Sequence, residues 1–414
     1  MINLQVQNVD SMKQFFAILF CLSFFLGKAQ DVSDSLFLLQ NHLTDTVTQP
    51  ENIQNKAVFF NGQVTAWSVF QFANPANTQS GSRFVPSLTG FYYFSEYSKL
   101  DFETSLNING ALNWSGTQYD TTTYVFKQYR VWIRYSGENW EVRGGLQKIN
   151  FGSAKMFRPL MWFDEMDVRD PLQLTDGVYG LLGKYFFSNN ANIWLWSLIG
   201  NKNPKGFEML GSALWKPEVG GRIETPLGPG ELAFSTHFRQ TDLQSLFHNT
   251  PEKTYLNESR IGLDGKWDVG PGIWFEASVS MFEKSDFPMI SFQDMWSLGA
   301  DYTLPIGSGL NISAEYFRFH LGDKIWKEGT SANILGGMLT YPLSLIDNVS
   351  AMIFYVKELE NYFNYISFSR TYDNWNLYLI GFWNPETNLP IGGKLGGKNL
   401  FKGKGAQLMV SYNF

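Results

Sequence analysis

Charged side chains crowd into one stretch of the chain, the connector at residues 149–176. Its ionisable and neighbouring aromatic residues are Arg158, Asp164, Glu165, Asp167, Arg169, Asp170, Trp162 and Phe163. The carboxylates show no spacing recognisable as a metal site, so the sequence predicts no metal. Where such charges line a narrow passage, they set its ion preference and a transverse field. The alternative is a solvated loop whose charges are incidental.

Ser235 and His237 form the one pair that suggests a nucleophile beside a base, because residues two apart share a strand face. No acidic residue is set by its spacing to orient the histidine, and a hydrogen bond in a polar interior accounts for His237 equally well. His42 and His248 lie in polar connectors, and His320 ends a run. The sequence therefore predicts no enzyme and no cofactor.

The elements that carry these residues are runs of alternating apolar and polar side chains, from Lys56 to the C-terminus. In the clearest run, Leu100–Trp114, leucine, isoleucine and aromatic residues share one face, and acidic residues, serine and asparagine share the other. A period of two is typical of a half-buried antiparallel strand. Eighteen runs can be counted; sixteen strands stay compatible, since the runs at 177–188 and 191–201 favour neither face.

The connectors alternate in length, which indicates a ring of strands across a membrane. An outer-membrane barrel has short periplasmic turns and longer outer loops, and closure removes the exposed edges. The sequence thus predicts an all-β fold, a single transmembrane antiparallel β-barrel. The short connectors are Ser136–Asn139, Ser188–Ala191, Pro226–Gly230, Gly270–Gly272, Pro305–Gly309 and Arg370–Asp373, and the long ones include 73–85, 149–176, 201–217, 241–256, 321–331 and 384–404.

The N-terminus has the pattern of a secretory signal peptide. Lys13 precedes an apolar run at residues 15–26, and small residues follow it. We expect cleavage after Ala29, so that the signal spans residues 1–29. A periplasmic lead-in at 30–55 and the barrel at 56–414 would then form the mature chain.

Composition narrows the class of protein further. Charged residues make up 17% of the chain, where about 25% is ordinary for soluble domains. Aromatic residues also reach 17%, which suits a wall with one face in lipid. The net charge of −6 argues against a nucleic-acid partner. The single cysteine, Cys21, precedes the expected cleavage site, so the mature chain has no disulfide and no cysteine metal site.

The last strand, Ala406–Phe414, alternates in the same way and ends on an aromatic residue. Together with the signal, the alternating runs and turns such as Thr225–Leu232, it resembles the porins of Gram-negative outer membranes. The strand number is similar to that of maltoporin-like and alginate-export-type channels, and the aromatic-rich composition resembles porins of Bacteroidetes-type bacteria. The resemblance implies that Val410, Tyr412 and Phe414 are the signal for the barrel-assembly machinery.

The resemblance also implies roles for the charged residues. In porins of this type the third outer loop often folds inward and narrows the pore, which would make 149–176 a constriction. Arg130, Arg134 and Arg143 lie on the polar faces of two neighbouring runs, and they resemble the basic wall that faces an acidic loop in porins. The alternative for these arginines is an ordinary lattice of lumen salt bridges.

The hairpin that carries the arginines also presents aromatic residues. We expect Tyr135 to pair with Trp140, which would put Trp132 beside Arg143. Phe126 and Trp132 would then lie on the polar face, where they form either a stacking track for sugars or filler near a constriction.

The sequence as a whole predicts an outer-membrane porin for passive diffusion of small hydrophilic solutes or ions, narrowed by the loop at 149–176. A non-channel barrel in adhesion or secretion is the alternative, followed by a barrel hydrolase. Expected partners are outer-membrane lipid and lipopolysaccharide, the barrel-assembly machinery and small hydrophilic solutes. The sequence leaves open the solute, the sign of the preferred ion, and a homotrimer against a monomer.

Overall fold

Strands dominate the computed structural model, which describes residues 56–243, 255–283, 291–325, 327, 329–387 and 400–414. The expected signal peptide and lead-in, residues 1–55, lie outside the described residues. The strands are β1 Lys56–Gln71, β2 Asn77–Ser95, β3 Ser98–Ser115, β4 Gln118–Ser136, β5 Trp140–Gln147, β6 Val178–Phe186, β7 Asn192–Leu198, β8 Glu218–Leu227, β9 Gly230–Asp242, β10 Tyr255–Asp268, β11 Gly272–Phe282, β12 Phe292–Leu304, β13 Leu310–Gly322, β14 Gly329–Pro342, β15 Asp347–Val356, β16 Asn361–Thr371, β17 Trp375–Trp383 and β18 Lys404–Asn413.

Two minor elements accompany these strands. A two-residue strand, Gly211–Ser212, pairs with the end of β9. Lys357–Leu359 forms a single 3₁₀ turn. None of the described residues belongs to a helix long and apolar enough to cross a membrane.

The strands close into a ring, because each pairs antiparallel with the next and β18 pairs with β1. The predicted strand number of eighteen is confirmed. Alternation sorts the side chains between the two faces of the ring: Ser411 and Ser297 point inward and are fully buried, whereas Leu298 is 52% exposed on the outside. A closed barrel with an apolar exterior leaves no backbone group unpaired in lipid, so this chain is an outer-membrane protein.

The two ends of the barrel differ in their connectors. At the end that holds the C-terminus, called the periplasmic end below, every described turn is short, as at residues 96–97, 137–139 and 228–229. The long connectors, such as 148–177 and 199–217, share the opposite, outer end. This is the arrangement that the connector lengths predicted, with two exceptions. The outer connector at 116–117 has only two residues, and the second exception is at 73–85.

The prediction of a long connector at 73–85 is wrong, because β2 begins at Asn77. The outward positions in its first half are Thr78, Ser80 and Ser82, which face the same side as Ala66 across the pair with β1. Hydroxyl side chains on the lipid side hide the alternation that would otherwise identify a strand.

Strands β6 and β7 favour neither face in sequence because both of their faces are apolar. Leu182 and Trp196 point inward and are 1% and 3% exposed, while Leu181 and Leu195 point outward. The inward apolar side chains pack under a loop inside the barrel, as described below.

Two local predictions for β4 are wrong. Tyr135 pairs with Val142 rather than with Trp140. This slip of two residues keeps every side chain on its face, since the period of a strand is two. A bulge at Tyr129 then shifts the register with β3 and turns Phe126 outward, where it is 71% exposed. Phe126 therefore lines no track in the lumen.

Candidate functional site: the lumen and the loop inside it

The connector at 148–177 folds into the barrel, and two wall carboxylates hold its backbone there. Glu315 accepts hydrogen bonds from three consecutive backbone N–H groups, of which Phe157 N at 2.6 Å is the shortest. Glu276 accepts from Ala154 N at 2.6 Å and from Leu160 N at 3.1 Å. Both glutamates are inward residues with at most 1% exposure. Hydrogen bonds to charged groups are among the stronger ones, at about 1.5–3 kcal/mol each.

Apolar packing fastens the same loop to the wall formed by β12–β17. The ring of Phe157 lies 5.4 Å from that of Phe317 and 5.5 Å from that of Phe354, and all three residues are fully buried. Met156 belongs to the same buried cluster. This side of the lumen is therefore filled rather than open.

The loop packs on its other flank against β6, β7 and β11. Phe151 stacks on Trp196 with ring centroids 5.7 Å apart, and Trp162 donates its Nε1 hydrogen to Ser278 Oγ at 3.0 Å. Leu182 of β6 belongs to the same buried cluster. The loop thus spans the lumen between two apolar clusters, which anchors it at both flanks.

The segment at 199–217 also enters the barrel. Phe207 lies 5.3 Å from Phe317, and the carboxylate of Glu208 contacts Arg239 at 3.0 Å and Arg260 at 2.7 Å. Glu258 bridges the same two arginines. A buried and fully paired charge cluster therefore supports the second loop.

The last part of the first loop faces the polar inner wall of β1–β4. Asp176 accepts from Lys127 Nζ at 2.5 Å, and the carbonyl of Thr175 accepts from Arg130 Nη2 at 2.9 Å. Burial raises the pKa of Asp170, while the positive charge of Arg83 on β2 acts to lower it. Loop acids and wall bases thus meet where the loop covers no apolar wall.

The barrel resembles solved outer-membrane structures, although its sequence has no close relative among the families and proteins compared. No protein-family model matches the sequence, and neither does any curated protein. Among solved structures, an anion-selective porin from Comamonas acidovorans is 14% identical with a TM-score of 0.50, over 87% of this chain and 100% of that one. The chain has the fold of an outer-membrane porin. That fold similarity extends over nearly the whole described barrel.

Two further solved structures match with lower TM-scores. OmpF of Salmonella typhi, in complex with daunomycin, is 9% identical with a TM-score of 0.45, over 87% of this chain and 98% of that one. A trimer form of in-vitro folded OmpT from Vibrio cholerae is 11% identical with a TM-score of 0.46, over 87% and 100%.

Within this porin fold, the predicted loop residues divide into two groups. Arg158 is buried at the neck of the loop, where it donates to Asn150 and to the carbonyl of Phe151. Asp164 is 1% exposed and accepts from the backbone N–H of Glu165 at 2.7 Å. These contacts stabilise the conformation of the loop. Arg158 and Asp164 are therefore engaged within the loop and present no free charge to the polar wall.

The second group lies further along the loop, where Arg169 contacts Phe401 of the apolar cluster and Asp170 lies within the influence of Arg83 on β2. Asp167 pairs with Arg169 at 2.6 Å, and Arg169 also reaches the hydroxyl of Tyr365 at 3.4 Å. Although burial acts to lower the pKa of Arg169, its hydrogen bonds to Asp167 raise it overall, so the guanidinium stays charged. Asp170 accepts from the backbone N–H of Leu172.

The three arginines of the predicted basic wall also divide into two groups. Arg134 contacts Asp101 at 2.6 Å and Glu141 at 3.0 Å. The guanidinium of Arg143 lies 4.8 Å from the ring centre of Trp132, close to the same Glu141. These contacts form a salt-bridge lattice near the periplasmic end. Among the three predicted arginines, Arg130 reaches the loop.

Sequence reasoning missed several residues of this site. The sequence predicts a loop at the position of Arg83, which conceals its inward place on β2. Lys127 and Asp176 pair across distant parts of the chain. Glu276 and Glu315 do lie on the polar faces of alternating runs. Acids at such positions could have been recognised as wall residues, but not as anchors of the loop.

The pair suggested as catalytic has other partners. Ser235 Oγ accepts from Arg222 Nη1 at 3.2 Å. His237 Nδ1 accepts from Trp196 Nε1 at 3.1 Å, and its Nε2 faces Glu218 at 3.2 Å. The hydroxyl and the imidazole thus bind different groups. No cluster of three or more His, Cys, Asp or Glu side chains in the described part of the chain could hold a metal ion.

Proposed function

We propose that this barrel is an outer-membrane channel through which small hydrophilic solutes or ions diffuse passively. The observation that carries the proposal is the contact of the end of the loop with the basic side chains of β2–β4, where Asp176 binds Lys127 and the carbonyl of Thr175 binds Arg130. We call this region, between loop residues 165–176 and the inward side chains of β1–β4, the eyelet. Its inward wall also carries half-buried Gln79 and Asn109, which can solvate a passing solute.

The eyelet charges favour anions. Asp167 and Asp176 are each paired with a base. Arg83 forms no hydrogen bond or ion pair with the described residues, and its Nε is buried without a partner. Arg130 bonds only to backbone carbonyls. Among the described residues of the eyelet, Asp170 on the loop and Glu103 on β3 are the acids without a basic partner. Because Arg130 bonds to the loop and the charge of Arg83 acts on Asp170, we assign to these two arginines the attraction of anions into a passage with low-dielectric walls.

Reversal potentials across a planar bilayer test both parts of this proposal. We expect stable channels with a preference for chloride over potassium, and a several-fold loss of that preference in the double variant R83Q/R130Q, since two positive charges leave the passage. R370Q is the matched control, because Arg370 pairs with Asp347 on the outside of the barrel. Purified barrels that form no open channel would support an adhesion or secretion role instead.

Three finer proposals complete this function. Residues 1–29 would be removed as a signal peptide, and residues 30–55 would precede the barrel in the periplasm. The resemblance to Bacteroidetes-type porins and to maltoporin-like or alginate-export-type channels gives the expected relatives. Recognition of the last strand by the barrel-assembly machinery would bring the chain to the outer membrane.

A homotrimer is the fourth proposal, and the outside of β1–β3 supports it. Ala66, Ser68, Ser80, Ser82 and Gly110 make this face flat and small, and the two hydroxyls of Ser68 and Ser80 bond to each other rather than to lipid. Such a face suits close packing against a second copy. Native mass spectrometry of detergent-purified protein measures the stoichiometry.

A further inference from the structure

The outer surface of the barrel wall carries almost no charge, and Arg318 is an exception to this rule. On β13 the inward positions are Ser313, Glu315 and Phe317, all with at most 1% exposure, so alternation turns Arg318 toward lipid. Among the described strand residues, the other outward bases lie at strand ends. They are Lys56, Arg370 and Lys404.

The height of Arg318 corresponds to the outer edge of the apolar belt. Its cross-strand neighbours are Trp296 on β12 and Asn333 on β14. Below these residues the outward side chains are apolar, with Leu298 52% and Leu335 54% exposed. An aromatic residue above an apolar stretch is typical of the membrane interface.

Above Arg318 the outward face is closed. His320 contacts Asp294 at 2.6 Å and the carbonyl of Lys327 at 2.8 Å, and both buried side chains are 1% exposed. The outer connector thus covers the wall immediately above the arginine. Any group that meets the guanidinium must approach from the lipid side.

The polar neighbours of Arg318 satisfy one another. Tyr316 donates its hydroxyl to Asn333 Oδ1 at 2.6 Å, and Asn333 Nδ2 donates to Glu358 Oε1 at 2.5 Å. Arg318 itself has no hydrogen bond or ion pair with any described residue, and its Nε is buried without a partner. An uncompensated guanidinium at the edge of a hydrocarbon layer is costly unless an anion meets it.

We propose that Arg318 binds a phosphate group of a phosphorylated glycolipid in the outer leaflet. A guanidinium presents a planar fork of donors that matches phosphate oxygens in pairs. The acyl chains of the same lipid would lie against the outward leucines below, and Trp296 would contact the sugar at the level of the headgroups. The proposal concerns the outside of the wall, so it is independent of conduction through the eyelet.

Native mass spectrometry of the detergent-solubilised full chain tests this proposal, with bisphosphorylated lipid A and the same lipid after phosphatase treatment as probes. We expect unmodified protein to bind the phosphorylated lipid at least about tenfold more tightly than the dephosphorylated one, because hydrogen bonds to charged groups are lost. R318Q should lose this difference, and R318K should retain part of it through its charge.

R370Q is the control variant, because it removes an outward arginine from the periplasmic end without touching the outer leaflet. Equal binding of the two lipids by unmodified protein would overturn the proposal without recourse to any variant. Unchanged phosphate dependence in R318Q would overturn it as well. A change of oligomeric state in R318Q without lipid would assign the arginine to a second copy of the chain instead.

Discussion

At the residue scale, most charged side chains inside this barrel are paired. The few unpaired ones are the candidates for a functional role. Arg134 and Arg260 each contact two carboxylates, so neither presents a free charge to solutes. Arg83 differs because it contacts an aromatic face, with its guanidinium 5.6 Å from the ring centre of Trp67. We therefore expect selectivity to depend on which charges lack partners and not on how many line the lumen.

The titration of Asp170 predicts how selectivity responds to pH. Burial raises its pKa above the ordinary 3.8, so this carboxyl takes up a proton at a higher pH than an exposed aspartate. As pH falls through that raised value, the eyelet loses a negative charge while Arg83 keeps its positive one. We expect anion preference to rise in a window above pH 3.8, as measured by reversal potentials between pH 7 and pH 4.

D170N should remove this step, because asparagine does not titrate. E358Q is the control, since Glu358 lies in the outer 3₁₀ turn and hydrogen bonds from Asn333 lower its pKa against the effect of burial. A pH response in D170N equal to that of the unmodified channel would show that other groups control it.

At the scale of elements, the inward loop behaves as part of the wall. Its backbone N–H groups need acceptors once they leave water, and two glutamates from different strands provide them. The apolar clusters on both flanks then remove the freedom of the loop to swing out. A loop held in this way can keep the eyelet at a constant width.

E276Q/E315Q should loosen this loop. Glutamine keeps the size of each side chain but turns an amide group toward N–H donors, at a cost of about 1.5–3 kcal/mol for each charged hydrogen bond lost. We expect larger current fluctuations and more frequent closures in single-channel recordings, with the barrel still resistant to detergent. S278A, which loses one neutral bond from Trp162, should stay close to the unmodified channel. Quiet recordings from the glutamine variant would contradict an anchoring role.

At the scale of the whole molecule, the C-terminus closes the ring. Phe414 exchanges two backbone hydrogen bonds of 3.0 Å with Gly62, and its ring lies 5.8 Å from that of Phe60 and 6.2 Å from that of Phe84. A Cβ at Gly62 would approach the Phe414 ring to 2.4 Å, so glycine leaves room for it.

Deletion of Phe414 should impair assembly in the outer membrane and leave the conduction of assembled molecules unchanged. The reason is that this residue contacts the first two strands at the seam and lies far from the loop acids along β18. Surface labelling and heat-modifiability measure assembly, and bilayer recordings of the recovered fraction measure conduction. Normal surface levels of the truncated protein would count against the assembly-signal role.

The sequence by itself determined the features that depend on a period of two. The faces of Leu100–Trp114 and of the last strand agree with the structure: Asp101 and Ser105 are buried inside, and Leu408 is 46% exposed outside. The count of eighteen runs follows from the same pattern, although the apolar faces of β6 and β7 left sixteen strands open, and so does the outer position of the long loops other than 73–85. Such features are local, because lipid on one side and water on the other act on every strand separately.

Only the tertiary structure decided what meets what inside the ring. The apolar inward faces of β6 and β7 are explained by a loop that arrives from β5, and the bulge that turns Phe126 outward has no signature in the alternation. The contacts of Asp176 with Lys127 and of Phe157 with Phe317 join residues far apart in the chain. These partners are set by closure of the barrel and by the path of one loop across it, and neither is a property of any single stretch of sequence.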